Sequence, residues 1–351
     1  MPIRIAGAAG AFPEHAYSQR TLVHALEEYW GSGLERPDLL ERFHARVGVE
    51  TRHLAFPVEW YKPRRSWGEV NTAWLEAAQR LGQRAIDTAL GRAGLSRDDL
   101  DALFVVSVTG IASPSLDARL INRMGLRSDI KRTPIFGLGC VGGATGLIRA
   151  ADYVRAYPEQ HAALLAVELC SLTLQRDDLS TANLISSALF ADGAAAAIVA
   201  GSGRQASGPE IVTSCSVFYP DSEDIMGWDI SEKGFRIVLS PKLTDLVRLR
   251  LAHDVDTFLN GLGLTRGDIR SWVMHPGGPR VLETVAGSLG LSDQALEPSW
   301  ECLRRFGNLS SASVLLVLEE VMGRHRPPRG SLGLMVAMGP GFCSELILLR
   351  W

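Results

Sequence analysis

Apolar residues recur along this chain in two periods that alternate from one end to the other. Trp74, Ala77, Leu81, Ala85 and Ala89 fall at helical spacing and predict an amphipathic helix over residues 71–93. The polar run 94–100 interrupts it, and the short apolar segment Ala102–Val106 reads as a buried strand. The second half repeats this order. Pro241 opens a predicted helix through Leu246, Leu249, Val255 and Phe258, residues 263–269 break it, and 271–274 form the strand. An earlier helix is predicted behind Ser18 as N-cap, through Leu22, Ala25, Leu26 and Tyr29. Each half then reaches a small-residue junction, a helix and a further apolar strand, at 162–167 and at 332–337. Strands alternating with helices in short apolar runs predict an α/β protein with covered sheets.

The junctions themselves match. Gly139-Cys-Val-Gly-Gly-Ala-Thr-Gly-Leu147 pairs residue by residue with Gly307-Asn-Leu-Ser-Ser-Ala-Ser-Val-Leu315, at an offset of 168. The polar breaks at Gly94 and Gly263 repeat at almost the same offset, 169. The pattern predicts two duplicated halves, divided at the Gly/Ser-rich stretch 201–208 into residues 1–205 and 206–351. Cys140 in one half then corresponds to Asn308 in the other.

Composition narrows the class without naming it. Of 351 residues, 46% are hydrophobic and 21% charged, enough apolar content for a large core. A net charge of −3 gives no reason to expect nucleic acid or an anionic membrane as partner. The five cysteines are scattered, with neither disulfide-framework nor metal-site spacing, so no metal is expected. With no transmembrane-length apolar stretch either, a cytoplasmic protein is the expectation.

Three residues carry candidate chemistry. Cys140 follows a strand-like segment, 133–136, and precedes a helix near Gly142. The positive helix end there favours a thiolate nucleophile. His275 ends a strand before Pro276-Gly277-Gly278, a turn expected to leave the imidazole exposed in a cleft. Asn308 is placed to cap a helix and, if the halves are related by a pseudo-twofold, to face the cysteine. The plain alternatives are a small core thiol, a backbone-bonded histidine and a capping amide. Together the three offer a nucleophile with two donors for an oxyanion or enolate.

On these motifs the chain resembles the type III polyketide synthases, the chalcone-synthase-like branch of the thiolase superfamily. The resemblance is carried by Gly137-Leu-Gly-Cys140-Val-Gly-Gly, His275-Pro-Gly-Gly-Pro279, Gly307-Asn308-Leu-Ser-Ser-Ala312, Met338-Gly-Pro-Gly-Phe342 and Leu189-Phe190-Ala-Asp-Gly-Ala-Ala195, in that family's order. It implies a thiolase-like fold, two αβαβα halves forming a five-layered core, and a homodimer. It implies that Cys140 carries the acyl chain, with His275 as base partner and Asn308 beside it during malonyl-CoA decarboxylation. Phe190 is implied at the neck between CoA tunnel and cavity, with Trp228 and Ile237 on the cavity wall. Thr109 and Ser113 are implied near the dimer interface, Gly339 and Pro340 beside substrate, and Arg42 and Arg46, with Arg52 nearby, at the CoA phosphates. No cofactor is implied, since malonyl-CoA and acyl-CoA are substrates.

Trp228 and Ile237 depart from the small residue and phenylalanine common in plant chalcone synthases. The segments around Trp228 and Gly339 look more like bacterial alkylresorcinol and alkylpyrone synthases. The expected starter is therefore a medium- or long-chain fatty acyl-CoA, extended by malonyl units and cyclised to an alkylpyrone or alkylresorcinol. A single-round β-ketoacyl synthase III and a non-catalytic acyl-binding homologue are the alternatives.

Overall fold

The computed structural model describes residues 2–34 and 36–351. Nine strands form one mixed sheet: β1 (Arg4–Ala11), β2 (Ala102–Val106), β3 (Lys131–Ile135), β4 (His161–Leu169), β5 (Asp192–Ala200), β6 (Glu210–Phe218), β7 (Ile269–Met274), β8 (Leu332–Gly339) and β9 (Cys343–Arg350). Their order across the sheet is β7-β8-β9-β6-β1-β5-β4-β2-β3. Read outward from its centre, the sheet is nearly symmetric. The pairs β1–β5 and β6–β9 are antiparallel, β5–β4 and β9–β8 likewise, and β4–β2 and β8–β7 parallel. The duplication seen in the sequence is thus a repeated pairing pattern, with the two copies joined where Arg4 meets Glu210. The stretch 201–208 connects β5 to β6 at this seam. Only β3 has no counterpart, and it is a solvent-exposed edge.

Besides the single turn Val58–Tyr61, ten α-helices among the described residues pack on this frame: α1 (Gln19–Trp30), α2 (Pro37–Arg46), α3 (Trp67–Ala93), α4 (Leu116–Met124), α5 (Gly142–Ala156), α6 (Thr181–Leu189), α7 (Leu243–Asn260), α8 (Pro279–Leu289), α9 (Glu297–Phe306) and α10 (Ser313–Gly323). Three core clusters define the layers. Leu81, Ile86 and Leu120 place α3 and α4 on the outer face of the first half. Leu251, Val255 and Leu282 place α7 and α8 on that of the second. Between them Leu147, Ile148, Val314 and Leu318 bring α5 and α10 into the middle. This is the five-layered thiolase-like core. α10 is apolar on nearly every side because sheet and helix surround it. Each fully buried leucine there contributes about 1.5–3 kcal/mol.

Helix α3 starts four residues before the expected position. Ser66 caps it, accepting from the Glu69 amide while the Glu69 carboxylate accepts from the Ser66 amide. The capping box overrides the apolar period, which begins only at Trp74. The helix stops at Gly94, whose φ of 69° is the left-handed cap.

Candidate active site

Cys140 lies in a single 3-10 turn, Gly139–Val141, between β3 and α5. The equivalent turn of the second half, Ser310–Ala312, packs against it at the head of α10. Gly143 makes the approach possible: a Cβ there would sit 2.1 Å from the Ser311 carbonyl oxygen. Gly339 does the same from β8, where a Cβ would lie 2.6 Å from the Val141 nitrogen. The pseudo-twofold therefore brings the two junctions into contact. It sets the Cys140 Sγ 3.8 Å from the Ser310 hydroxyl. Ser310 is held at φ 46°, a left-handed conformation costing a non-glycine residue about 1–3 kcal/mol.

Asn308 is almost fully buried, and its amide is oriented by its neighbours. Its Oδ1 accepts from the Ser310 amide at 2.8 Å and from the Ser313 hydroxyl at 3.3 Å. Its capping role thus consumes the oxygen and leaves the NH₂ group as donor, directed at the Gly277 carbonyl at 3.3 Å and toward the Cys140 sulfur. The Asn308 backbone also brackets the neck residue. Its N–H donates to the Leu189 carbonyl and its carbonyl accepts from the Ala191 amide.

His275 continues β7, its amide bonded to the Val336 carbonyl at 2.9 Å. The expected exposure is not found: only 4% of the residue is accessible, because the Pro-Gly-Gly turn folds back over it. Neither ring nitrogen has a protein partner. Burial holds the imidazole down at about 3, so it is neutral at physiological pH. At Cys140 burial opposes the thiolate that the helix end favours. Burial pushes the thiol up to about 12, outweighing hydrogen bonds from Ser310 and Asn308. Cys140 and His275 line the same cavity, and burial favours the neutral form of both.

A cavity of about 560 Å³ is lined by Cys140, His275, Asn308, Phe190, Met338 and Phe342, and also by the exposed Arg42, Arg46 and Arg280. A second, mainly apolar cavity of about 80 Å³ is lined by Phe190, Trp228, Ile237, Cys170 and the buried Arg52. Phe190 borders both. Trp228 and Ile237 therefore sit in the wall of the inner cavity, and Arg42 and Arg46 beside the outer one. No group of three or more His, Cys, Asp or Glu suited to a metal occurs among the described residues.

Thr109, Ser113, Gly339 and Pro340, implied near the dimer interface or beside substrate, line neither cavity. Thr109 is buried outside both cavities, its hydroxyl donating to Glu168 at 2.9 Å and accepting from Leu169 and Trp74. Ser113 is exposed in a loop that lines neither cavity. Gly339 and Pro340 back the nucleophile turn, with Pro340 against Gly139. The sequence reading in turn missed Ser310, Arg280 and Glu168, and it set Arg52 near Arg42 and Arg46 at the CoA phosphates, whereas Arg52 is buried in the second cavity. Glu168, at the end of β4, is fully buried and accepts from the Val108 amide, the Thr109 hydroxyl and the Ser311 hydroxyl. It links the two halves directly behind Cys140, and burial pushes its carboxyl up to about 7. Its only sequence signal is a charged residue in an otherwise apolar strand.

The sequence and fold that bring Cys140, His275 and Asn308 to one cavity are matched by known proteins. Residues 67–203 match the N-terminal domain of the chalcone and stilbene synthases and residues 210–351 the C-terminal domain. The chain belongs to that family; it is a type III polyketide synthase, an acyltransferase. The 1,3,6,8-tetrahydroxynaphthalene synthase of Streptomyces peucetius subsp. caesius is 49% identical over 351 residues, covering 99% of this chain and 93% of its own. A putative chalcone synthase of Bacillus subtilis (strain 168) is 38% identical, covering 86% of each. Among solved structures, 1,3,6,8-tetrahydroxynaphthalene synthase from Streptomyces coelicolor A3(2) superimposes with a TM-score of 0.93 at 31% identity, over 99% of both chains.

Proposed function

We propose that this enzyme builds a poly-β-ketone on Cys140 from malonyl-CoA alone, priming with malonyl as well, and closes it to a polyhydroxylated aromatic. The carrying observation is the inner cavity: behind Phe190, Trp228 and Ile237 leave only about 80 Å³. So small a space favours the end of a short chain over a long alkyl starter. The relatives support the same reading. Tetrahydroxynaphthalene has ten carbons, oxygens on alternate positions and no alkyl branch, the pattern of five two-carbon units.

The proposed chemistry follows from the neutral pair. Sγ attacks the thioester carbonyl, a new C–S bond forms and the bond to CoA breaks. The thiol proton passes through His275 to the departing CoA sulfur. In extension, the malonyl C–C bond breaks, CO₂ leaves and the electron pair forms an enolate. A His275 N–H and the Asn308 NH₂ stabilise its oxygen. The enolate carbon then attacks the Cys140 thioester and Sγ leaves. Arg42, Arg46 and Arg280 form no ion pair among the described residues, which suits them to the CoA phosphates.

The second reading is the fatty acyl starter leading to an alkylpyrone or alkylresorcinol. It is favoured by the apolar lining of the inner cavity, including Leu22, Leu26, Leu54 and Val58. Incubation with malonyl-CoA alone, and with lauroyl-CoA plus malonyl-CoA, separates the two by mass spectrometry of products. Malonyl-CoA alone is expected to give an aromatic built only of two-carbon units. Turnover solely with the lauroyl starter would establish the second reading, and single-extension β-ketoacyl products would refute both.

A homodimer formed through the exposed edge strand β3 is part of the proposal. The exposed Phe136 beside that strand supports it, as do Ile111 and Tyr157. Monomeric mass in solution would refute it. Five free cysteines accord with a reducing, cytoplasmic location, and no helix among the described residues is long and apolar enough to cross a membrane.

A further inference from the structure

Arg52 is the least expected side chain in the inner cavity. It is 3% exposed and lines a space otherwise walled mainly by apolar groups. Its one hydrogen bond runs from Nη1 to the Phe190 carbonyl at 2.9 Å, and its Nε has no acceptor. No carboxylate lies within ion-pairing distance among the described residues. Asp192 is close enough to be felt, but its oxygens already accept from the Ala55 amide, the Ser171 amide and the Ser171 hydroxyl. A second unpartnered donor lines the same cavity, the Ser186 hydroxyl, one turn of α6 before Phe190. Buried charges are ordinarily paired, and a guanidinium with donors to spare beside a small cavity calls for an anion. The anion that fits best is small, because the cavity measures only about 80 Å³.

We propose that Arg52, with Ser186, binds the terminal carboxylate of a chain that grows on Cys140 from an undecarboxylated malonyl starter. This carboxyl, β to a ketone, is lost as CO₂ with uptake of a proton by the time the ring closes, so that only two-carbon units remain. The far end of that chain passes Phe190 and is held by the guanidinium in the inner cavity. This deepens the malonyl-primed reading and rests on it. Arg52 thereby selects a starter carrying a free carboxylate over a neutral acyl group of equal length. It also touches the neck itself, so an occupied anion site and the position of Phe190 are coupled through one side chain.

The test compares wild type, Arg52→Met and Arg52→Lys with malonyl-CoA alone and with butyryl-CoA plus malonyl-CoA, products being read by mass spectrometry and folding by circular dichroism. Malonyl-primed product is expected to fall about 100-fold more than butyryl-primed product in Arg52→Met, with partial recovery in Arg52→Lys. Equal losses for both starters, or no loss, would overturn the proposal in favour of a purely structural arginine. Should the methionine variant fail to fold, wild-type protein decides. Succinyl-CoA and butyryl-CoA differ at the chain end by a carboxylate against a methyl group. Succinyl is expected to load Cys140 at lower concentration by intact mass; equal loading, or preference for butyryl, refutes an anion site. Absence of any wild-type product from malonyl-CoA alone sinks malonyl priming, while the succinyl–butyryl comparison still judges Arg52.

Discussion

Glu168→Gln isolates one buried titration behind the nucleophile. In the folded protein burial raises this carboxyl to about 7 from 4.5, even though several donors oppose the shift. Between those values the unfolded chain has released the proton and the folded chain still holds it. Folding therefore binds a proton in that window, and the contribution is fully present below about 4.5 and lost as pH rises through about 7. Each pH unit of the gap is worth about 1.4 kcal/mol, so the loss approaches about 3 kcal/mol by pH 8. Glutamine cannot titrate, but it turns an NH₂ toward the donors on Val108, Thr109 or Ser311. A constant cost of about 1–3 kcal/mol is expected at every pH. The slope, not the offset, carries the argument. Asp192, raised to about 6, and His44 and His275, lowered to about 3, titrate alike in both proteins and cancel in the difference. Urea unfolding at pH 5, 6, 7 and 8 measures it. Wild type should lose about 2.5 kcal/mol more than the variant between pH 5 and pH 8. Parallel curves would show that Glu168 is already ionised in the fold.

The remaining predictions concern the site itself. His275→Gln should slow malonyl-CoA turnover about 100- to 1000-fold with little change in melting temperature, since the ring nitrogens bond no protein atom; unchanged turnover would remove His275 from the chemistry. Replacing Arg42 and Arg46 together with alanine should raise the KM for CoA thioesters about fivefold and leave kcat near wild type, as expected for two exposed charges on phosphate; an unmoved KM would make them solvated surface. Gly143→Ala drives a Cβ against the Ser311 carbonyl and should cost about 1–3 kcal/mol in stability and lower turnover, and wild-type values for both would contradict the close approach of the two turns.

Much of the fold was legible because buried strands and amphipathic helices leave periodic traces, and because the duplication made each trace appear twice. The ends were less legible. Helix α3 begins where Ser66 and Glu69 close a capping box, a polar device invisible to an apolar period. Cys140, His275 and Asn308 stood out because each sits at a junction of strand and turn. Their protonation did not. A dipole argument favoured the thiolate, but burial is set by residues more than a hundred positions away and dominates. Thr109 shows the same limit. A hydroxyl near a site reads as a ligand until Glu168, Leu169 and Trp74 are seen to use it. The burial of Arg52 and Glu168 is legible only in three dimensions, where a charged side chain without solvent demands a reason.

The seam between the halves explains why the chemistry divides as it does. A duplicated sheet joined at β1 and β6 places equivalent junctions face to face, so each half need supply only part of a site. The first junction keeps glycines at 139, 142 and 143 and gives up its polar side chains to let the partner turn approach Cys140. The second replaces two of those glycines with Ser310 and Ser311, and these fill the space the glycines open. Ser310 reaches Sγ, and Ser311 bonds Glu168 in the other half. Asn308 spends its oxygen on that same turn, and this is what aims its nitrogen at the cavity. The asymmetry is therefore mutual. The nucleophile's turn is bare because its partner is decorated, and restoring symmetry in either direction would separate the thiol from the donors it needs.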